Sequence, residues 1–359
     1  MVRKLDEYLQ NLIDTGRIPG CGLKVRKNGE LVYDRCFGVY DLSKEDPVTE
    51  NTVYYLASMT KLVTAVGIMR LVEDGKVSLN DNLVKYFPNY PEDKKRVRIR
   101  HLLNHSSSLG AMGGKSEQFF MAHLRPGESL KDRIEGWGEM PYDCELGESA
   151  QYSAIVNFEI LGRIMEVASG MNAEDYLRKA VLDPLGMNDT SFFVREDMAG
   201  RLAAIYNRVD GRLVPAENAA MVLDLVASSA DYHSGSGGLV STLYDFDRFT
   251  TMISGNGELD GVRILKEETL RLMRTPRQIT DVECMPGCPW GFGFMIFEYP
   301  EKSGIHVARN TYGWSGAFGT HMFVSEETGL SATFMVSMWD LGGADSPISR
   351  QIEKIIFEG

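Results

Sequence analysis

Residues 54–75 read YYLASMTKLVTAVGIMRLVEDG, an almost wholly apolar segment in which Ser58 and Lys61 stand three positions apart. Its apolar side chains surround the helix circumference instead of forming one stripe, so the pattern predicts a buried helix that ends at Asp74 and Gly75. Residues at i and i+3 share a helix face, which lets Lys61 bring its amine to the Ser58 hydroxyl. We expect the rest of the chain to be organised around this helix.

Lys61 has no carboxylate within one turn of the predicted helix to neutralise its amine. Burial and the positive end of the helix dipole should both lower its pKa below the usual value of about 10.4, so the amine can act as a base. A serine hydroxyl needs such a neighbour to become a nucleophile. The alternative is that Lys61 extends to solvent and Ser58 only caps the helix. Because a two-residue motif is common by chance, partners elsewhere must decide.

The composition is that of a globular protein. The chain has 359 residues, 43% of them hydrophobic, and a formal net charge of −12. The negative charge and the lack of a basic run argue against a nucleic-acid partner. No apolar stretch approaches the roughly 18 to 20 residues that cross a bilayer, so no membrane partner is predicted. Residues 1–16 mix charges and amides with apolar residues at helical spacing, so they do not form the apolar core of a signal peptide. This pattern predicts a cytoplasmic location.

The cysteines are odd in number and scattered, which favours reduced thiols over a disulfide framework. They are Cys21, Cys36, Cys144, Cys284 and Cys288. Cys284 and Cys288 are four positions apart, but no second pair completes a zinc site. The sequence predicts neither a metal nor a cofactor.

Both ends of the chain read as strands and helices. Strand-like segments flank Asn28-Gly29, the strongest short hairpin signal, and others flank a turn at residues 326–329. Between about residues 79 and 225 the apolar periodicity is helical or weak, and strand-like alternation is scarce. The pattern predicts an α+β fold, with an antiparallel sheet built from both chain termini, flanked by helices, and an inserted, mainly helical subdomain.

Three motifs follow one another along the chain: Ser58-Met59-Thr60-Lys61, Tyr152-Ser153-Ala154 and Trp314-Ser315-Gly316-Ala317. Together they resemble the serine β-lactamase and penicillin-binding protein superfamily, and most closely its class C β-lactamases and family VIII carboxylesterases. Further similar stretches are residues 99–110, 234–265 and 290–294. The resemblance implies a β-lactamase/transpeptidase-like fold. Its sheet domain, residues 1–78 and 226–359, would carry Ser58 and the Trp314 strand, and its helical subdomain, residues 79–225, would carry Tyr152.

The resemblance implies a role for each motif residue. Ser58 would be the acyl-accepting nucleophile, Lys61 its base and Tyr152 the phenol that relays the proton. A tyrosine with a usual pKa of about 10 becomes a base only beside a cation such as Lys61, and without the resemblance Tyr152 would be interpreted as a packing residue. The amide of Ala317 would join that of Ser58 as an oxyanion hole. Trp314, Ser315, Gly316 and Ala154 would bind substrate.

Two departures from the class C pattern affect the substrate. Ala154 replaces an asparagine and Trp314 replaces a lysine, and both lost groups would bind polar parts of a β-lactam. Esterases of the family commonly carry an aromatic residue where Trp314 stands. The sequence therefore favours a carboxylesterase acting on small esters. A class C-like β-lactamase or D-alanyl-D-alanine peptidase is the alternative, and a catalytically silent binding or assembly protein is a third hypothesis.

Three other patterns suggest competing sites. Ser315 lies in GWSGA, which approximates the Gly-x-Ser-x-Gly elbow, but that elbow requires a following helix and residues 317–324 read as a strand. His101 and His105 are spaced like zinc ligands on a helix, yet the glutamate of a metalloprotease motif is missing, which favours core or capping roles. Residues 235–238 are glycine-rich but lack the lysine of a phosphate-binding loop.

Overall fold

A seven-stranded antiparallel sheet forms the centre of the protein. The computed structural model describes residues 1–125, 127–148, 150–226, 231–276, 283, 285–343 and 345–359. The strands in these ranges are β1 (Gly20–Lys27), β2 (Glu30–Asp41), β3 (Asp46–Pro47), β4 (Val53–Tyr55), β5 (Tyr206–Val209), β6 (Arg212–Pro215), β7 (Val240–Thr242), β8 (Glu258–Leu259), β9 (Val262–Arg263), β10 (Met295–Phe297), β11 (Thr311–Ser315), β12 (His321–Ser325) and β13 (Leu330–Val336).

Helices cover the sheet, and most of them lie in the sequence between its N-terminal and C-terminal strands. In the same ranges they are α1 (Val2–Asp14), α2 (Thr60–Glu73), α3 (Leu83–Tyr86), α4 (Ile99–Leu103), α5 (Lys115–Ala122), α6 (Leu130–Glu135), α7 (Val156–Ser169), α8 (Ala173–Leu177), α9 (Glu196–Ala199), α10 (Ala219–Val226), α11 (Leu243–Ser254), α12 (Glu267–Met273) and α13 (Pro347–Glu358). No α-helix among them is long and apolar enough to span a membrane.

The sheet joins the two chain ends, as the sequence predicted. Its strand order is β10-β11-β12-β13-β1-β2-β3, so the C-terminal strands meet the N-terminal hairpin where β13 pairs with β1. Asn28 and Gly29 turn that hairpin at φ 51° and 83°, the left-handed conformation that both residues tolerate. The predicted α+β class is confirmed.

The two terminal helices pack on one face of the sheet. Leu5, Leu9 and Leu12 of α1 share an apolar cluster with Ile348 and Ile352 of α13, because residues three and four positions apart line one helix face. On the other face, α11 packs against β1, β12 and β13, and α2 packs against α7. Strand β11 contacts the turn that precedes α2.

The predicted helix at residues 54–75 begins later than expected. Tyr54 and Tyr55 belong to β4, which pairs with β7, and a 3₁₀ turn at Ala57–Met59 leads into α2. Aromatic residues suit a strand, and Ala57 at φ 45° interrupts the backbone between strand and helix. The predicted end is confirmed, since Asp74 caps α2 and Gly75 follows at φ 69°.

One hairpin lies where the sequence indicated few strands. Strands β5 and β6 pair across Asp210 and Gly211, which have φ of 48° and 78°. Asp-Gly is a strong signal for a two-residue hairpin turn, and it could have identified these strands.

The cysteines at 21, 36, 144 and 288 are free thiols, and Cys284 lies outside the described residues. The expectation that Cys284 and Cys288 do not form a zinc site therefore stays a prediction.

Candidate active site

The junction between the 3₁₀ turn and α2 brings Ser58 and Lys61 together. The Lys61 Nζ atom lies 3.1 Å from Ser58 Oγ. Lys61 is only 1% exposed, because α2 is buried round most of its circumference. The left-handed backbone of Ala57, just before Ser58, is the kind of strain that folded proteins keep at functional sites.

Two backbone carbonyls fix the orientation of the Lys61 amine. Nζ lies 2.7 Å from the carbonyl oxygen of Ala154 and 2.7 Å from that of Ser236. A carbonyl can only accept, so a neutral amine must direct both hydrogens at these oxygens. Its lone pair is then left for the Ser58 hydroxyl. The sequence did not predict either contact, because backbone acceptors have no side-chain signature.

The environment of Lys61 favours the neutral amine. Burial lowers the pKa of Lys61 to about 7, and the carboxylate of Glu159 opposes part of that shift. The amine also lies 5.4 Å from the ring centre of Tyr152 and 5.7 Å from that of Phe158. The pKa of Lys61 is therefore shifted downwards, as the sequence analysis predicted.

Tyr152 completes a three-residue cluster around the serine hydroxyl. Its hydroxyl donates to Ser58 Oγ at 2.7 Å. Tyr152 lies in the segment just before α7, so the helical region brings it across to the start of α2. Ser58 Oγ thus lies between an amine and a phenol, each within hydrogen-bonding distance.

An aromatic wall stands beside this cluster. The indole nitrogen of Trp314 lies 3.4 Å from the Tyr152 hydroxyl. The ring centres of Trp314 and Trp290 are 4.6 Å apart, and Trp290 stacks on Tyr152 with 5.8 Å between centres. These three rings form a rigid, mainly apolar surface on one side of the site. The sequence indicated Trp314 but assigned no role to Trp290.

The two histidines have the roles that the sequence predicted. His101 caps α4, where its Nδ1 accepts from the amide of Arg98 at 3.1 Å. His105 is buried against Tyr152 and Trp290, and its Nδ1 accepts from the amide of Ser153 at 3.1 Å. Burial lowers the pKa of His105 well below its usual value, so this ring is neutral.

The turn after β11 lies against the turn that holds Ser58. The amide of Gly316 donates to the carbonyl of Thr320 at 2.8 Å, and the Thr320 hydroxyl donates to the carbonyl of Leu56 at 3.2 Å. A Cβ on Gly316 would lie 2.3 Å from that Leu56 oxygen, so a glycine is needed for the close approach. Ala317 packs in one apolar cluster with Ala57, beside Ser58.

Ser315 takes part in a separate hydrogen-bonded chain. Its Oγ lies 2.7 Å from Nδ1 of His321, and Nε2 of that histidine lies 3.0 Å from the Glu353 carboxylate on α13. The order serine, histidine, carboxylate resembles a hydrolase triad. Ser315 is only 2% exposed, however, and β12 follows it where an elbow would need a helix. These hydrogen bonds connect β11 and β12 to α13.

The sequence profile of the Beta-lactamase family matches residues 5–353. The chain belongs to the Beta-lactamase family. This membership confirms the resemblance that the three motifs indicated.

The chain is also similar to individual known proteins. It is 29% identical to Protein Rv1367c of Mycobacterium tuberculosis, over 87% of this chain and 84% of that protein. It is 26% identical to Esterase EstB of Burkholderia gladioli, over 94% of this chain and 90% of the esterase. The solved structure of EstCE1, described as a hydrolase with promiscuous acyltransferase activity, superposes with a TM-score of 0.84 at 20% identity, covering 99% and 98% of the two chains. This last likeness concerns the fold.

Proposed function

We propose that the protein is a serine hydrolase that forms a covalent acyl intermediate on Ser58 and acts on small carboxylic esters. One observation carries the proposal: Ser58 Oγ lies 3.1 Å from the Lys61 amine and 2.7 Å from the Tyr152 hydroxyl. A nucleophile in contact with a buried base and a second proton carrier is the arrangement that acyl transfer requires. Membership of the Beta-lactamase family supports it.

Acylation begins with Lys61 as a neutral amine. Ser58 Oγ attacks the ester carbonyl carbon while its proton passes to the Lys61 lone pair, which the carbonyls of Ala154 and Ser236 leave facing the hydroxyl. A tetrahedral oxyanion forms. The proton then reaches the leaving alkoxide through the Tyr152 hydroxyl, and the C–O bond to the alcohol breaks. The products are the free alcohol and acyl-Ser58.

Deacylation repeats these steps with water as the nucleophile. Water attacks the acyl carbon and gives its proton to the same base, and the Ser58 oxygen leaves and regains a proton. In both halves the amides of Ser58 and Ala317 would stabilise the oxyanion, because backbone N–H groups need no particular side chain for this. The packing of the Ala317 turn against the Ser58 turn supports this pairing.

The residues around the cluster favour an ester over a β-lactam. A β-lactam carries a carboxylate that must be desolvated in the site, and an indole at Trp314 supplies no compensating charge. The wall of Trp314 and Trp290 suits the apolar part of a short ester. Gly316 and Ala154 would line the cleft, and Ser315 would contribute through its backbone, since its hydroxyl is bonded to His321. The similarity to a protein named as an esterase agrees.

The test compares p-nitrophenyl acetate and butyrate with nitrocefin. We expect kcat/KM for the esters to exceed that for nitrocefin by at least about tenfold, or roughly 1.4 kcal/mol of transition-state preference. A preference for nitrocefin would make a class C-like β-lactamase or D-alanyl-D-alanine peptidase the better proposal. The absence of turnover on both would favour a silent binding protein.

A further inference from the structure

A buried carboxylate on α7 lies near Lys61. Glu159 of α7 is 0% exposed. Its carboxylate accepts from Ser236 Oγ at 2.6 Å, from the Tyr232 hydroxyl at 3.0 Å and, at short range, from Ser234 Oγ. Burying a carboxylate without hydrogen-bond donors would cost free energy, and these three hydroxyl groups offset that cost.

The hydrogen bonds around Glu159 suit an ionised carboxylate. Arg133 donates to the Tyr232 oxygen at 2.6 Å, which leaves the phenol proton for Glu159. The amide of Gly237 donates to Ser234 Oγ at 3.2 Å, so that hydroxyl too can direct its proton at the carboxylate. An ionised carboxylate only accepts, and it suits this set of donors. Burial raises the pKa of Glu159, and the hydrogen bonds from the two serines oppose that rise.

Ser236 connects the carboxylate to the base. Its hydroxyl donates to Glu159 while its backbone carbonyl accepts from Lys61 Nζ at 2.7 Å. The Lys61 amine and the Glu159 carboxylate are therefore both hydrogen-bonded to Ser236, and both are removed from solvent. Charges in such a setting interact more strongly than they do in water.

Among the residues that the structure describes, Glu159 is the carboxylate whose charge acts on the Lys61 amine. Arg133 of α6 approaches Glu159 through Tyr232, but it is paired with Glu128 at 2.7 Å. On the Lys61 side, His105 is neutral.

We propose that Glu159 is a positioning residue of this active site: through Ser236 it holds the Lys61 amine in place, and its negative charge sets the pH at which that amine becomes a base. The inference rests on the proposed function, since it assigns Lys61 the role of base. Glu159 itself touches neither Ser58 nor the substrate, and it acts through Lys61.

The main test is the pH profile of ester hydrolysis by Glu159→Gln. Glutamine keeps the shape of the side chain, its amide oxygen can still accept from these donors, and the Ser236 hydroxyl can accept one of its N–H groups, so the variant should fold. Without the negative charge the Lys61 ammonium is less favoured, and the acid limb of kcat/KM should move to lower pH by about one unit, a tenfold change in proton affinity. A purely structural role would lower turnover and leave the limb where it is.

Two controls separate charge from shape. Glu159→Asp retains the charge and should keep the limb within a few tenths of a unit of its original position, even where turnover falls. Glu174→Gln removes a carboxylate that is buried to a similar degree but pairs with Arg178, and it should leave the limb unmoved.

A second variant covers the case in which Glu159→Gln is insoluble. The double variant Ser234→Ala/Ser236→Ala strips two donors from the carboxylate, which then takes up a proton more readily and loses its charge. Its acid limb should also move to lower pH. A limb that stays or rises in whichever of the two variants folds overturns the inference. A wild-type enzyme that hydrolyses no ester and is not labelled at Ser58 would instead refute the proposed function itself.

Discussion

Lys61 has three partners and, as a neutral amine, only two hydrogens. The carbonyls of Ala154 and Ser236 take both, so the remaining contact, with Ser58, must be one in which the hydroxyl donates. As an ammonium the same side chain would donate to all three oxygens and could not accept the serine proton. In the proposed mechanism, the protonation of this one nitrogen therefore decides whether Ser58 can be activated.

This gives the first prediction, on pH. Because burial lowers the pKa of Lys61 to about 7, the amine is protonated below that pH and neutral above it. We expect kcat/KM for p-nitrophenyl acetate to rise through an acid limb centred near pH 7. The measurement is a pH profile, corrected for the spontaneous hydrolysis of the ester. An acid limb near pH 10, where an ordinary lysine titrates, would contradict the assignment of Lys61 as the base.

The second prediction concerns Lys61 and Tyr152 as one proton-transfer unit. Each contacts Ser58 Oγ, so Lys61→Ala and Tyr152→Phe should each lose most of the turnover, while the double variant loses little more. Tyr176→Phe is a control, because Tyr176 is a buried tyrosine whose hydroxyl donates to the carbonyl of Gly67, outside the cluster. It should retain turnover to within about twofold, as expected for a distant substitution. Losses that multiply in the double variant would mean independent roles.

The sequence predicted the side chains of this cluster better than their surroundings. Ser58 and Lys61 were evident from spacing on an apolar segment, and Tyr152 from the resemblance. The carbonyls that hold Lys61 were not predictable, since any residue supplies a carbonyl. Glu159 was missed because it lies about one hundred positions from Lys61, and only the packing of α7 against α2 brings the two together.

At the scale of elements, strand β11 supplies part of the aromatic wall that the proposed function assigns to the substrate. It places Trp314 towards Tyr152 and Trp290, while the next residue, Ser315, is bonded to His321. Alternation along a strand explains why neighbouring residues serve different sides. A substitution at Trp314 should therefore change the cleft without disturbing the hydrogen bonds that connect Ser315, His321 and Glu353 of α13.

The third prediction is the effect of Trp314→Lys. A cation at this position would compensate the carboxylate of a β-lactam, and losing the indole would remove apolar contact with an ester. We expect the ratio of kcat/KM for p-nitrophenyl butyrate over nitrocefin to fall by at least about tenfold, in part through a gain in nitrocefin turnover. Thermal melting of the variant controls for loss of fold. An unchanged ratio in a folded variant would show that Trp314 does not select the substrate.

Elements with strong local turn signals were predictable, and those that depend on tertiary pairing were not. Asn28-Gly29 identified the first hairpin from sequence alone, and Asp210-Gly211 would have identified another. The sequence pattern places strand β4 at the start of the helix, because three residues of strand carry little periodic signal and their pairing partner, β7, is nearly two hundred residues away.

At the scale of the whole molecule, the fold gathers distant segments at one point. The chain ends build the sheet, and the helical region supplies Tyr152 and Glu159. The segment at Ser236 contacts both Lys61 and Glu159. The strand and helix patterns along the chain predicted the α+β class, and the order of the motifs predicted the family. The division into a sheet domain and a helical subdomain stays a prediction.

The most direct test of the central claim is to find which serine in the chain becomes acylated. The protein is treated with a fluorophosphonate probe, its intact mass is measured, and the labelled peptide is sequenced by mass spectrometry. We expect one label per chain, on Ser58, and none in Ser58→Ala. The buried Ser315, bonded to His321, should remain unlabelled. A label on Ser315, or no label in a folded protein, would contradict the account.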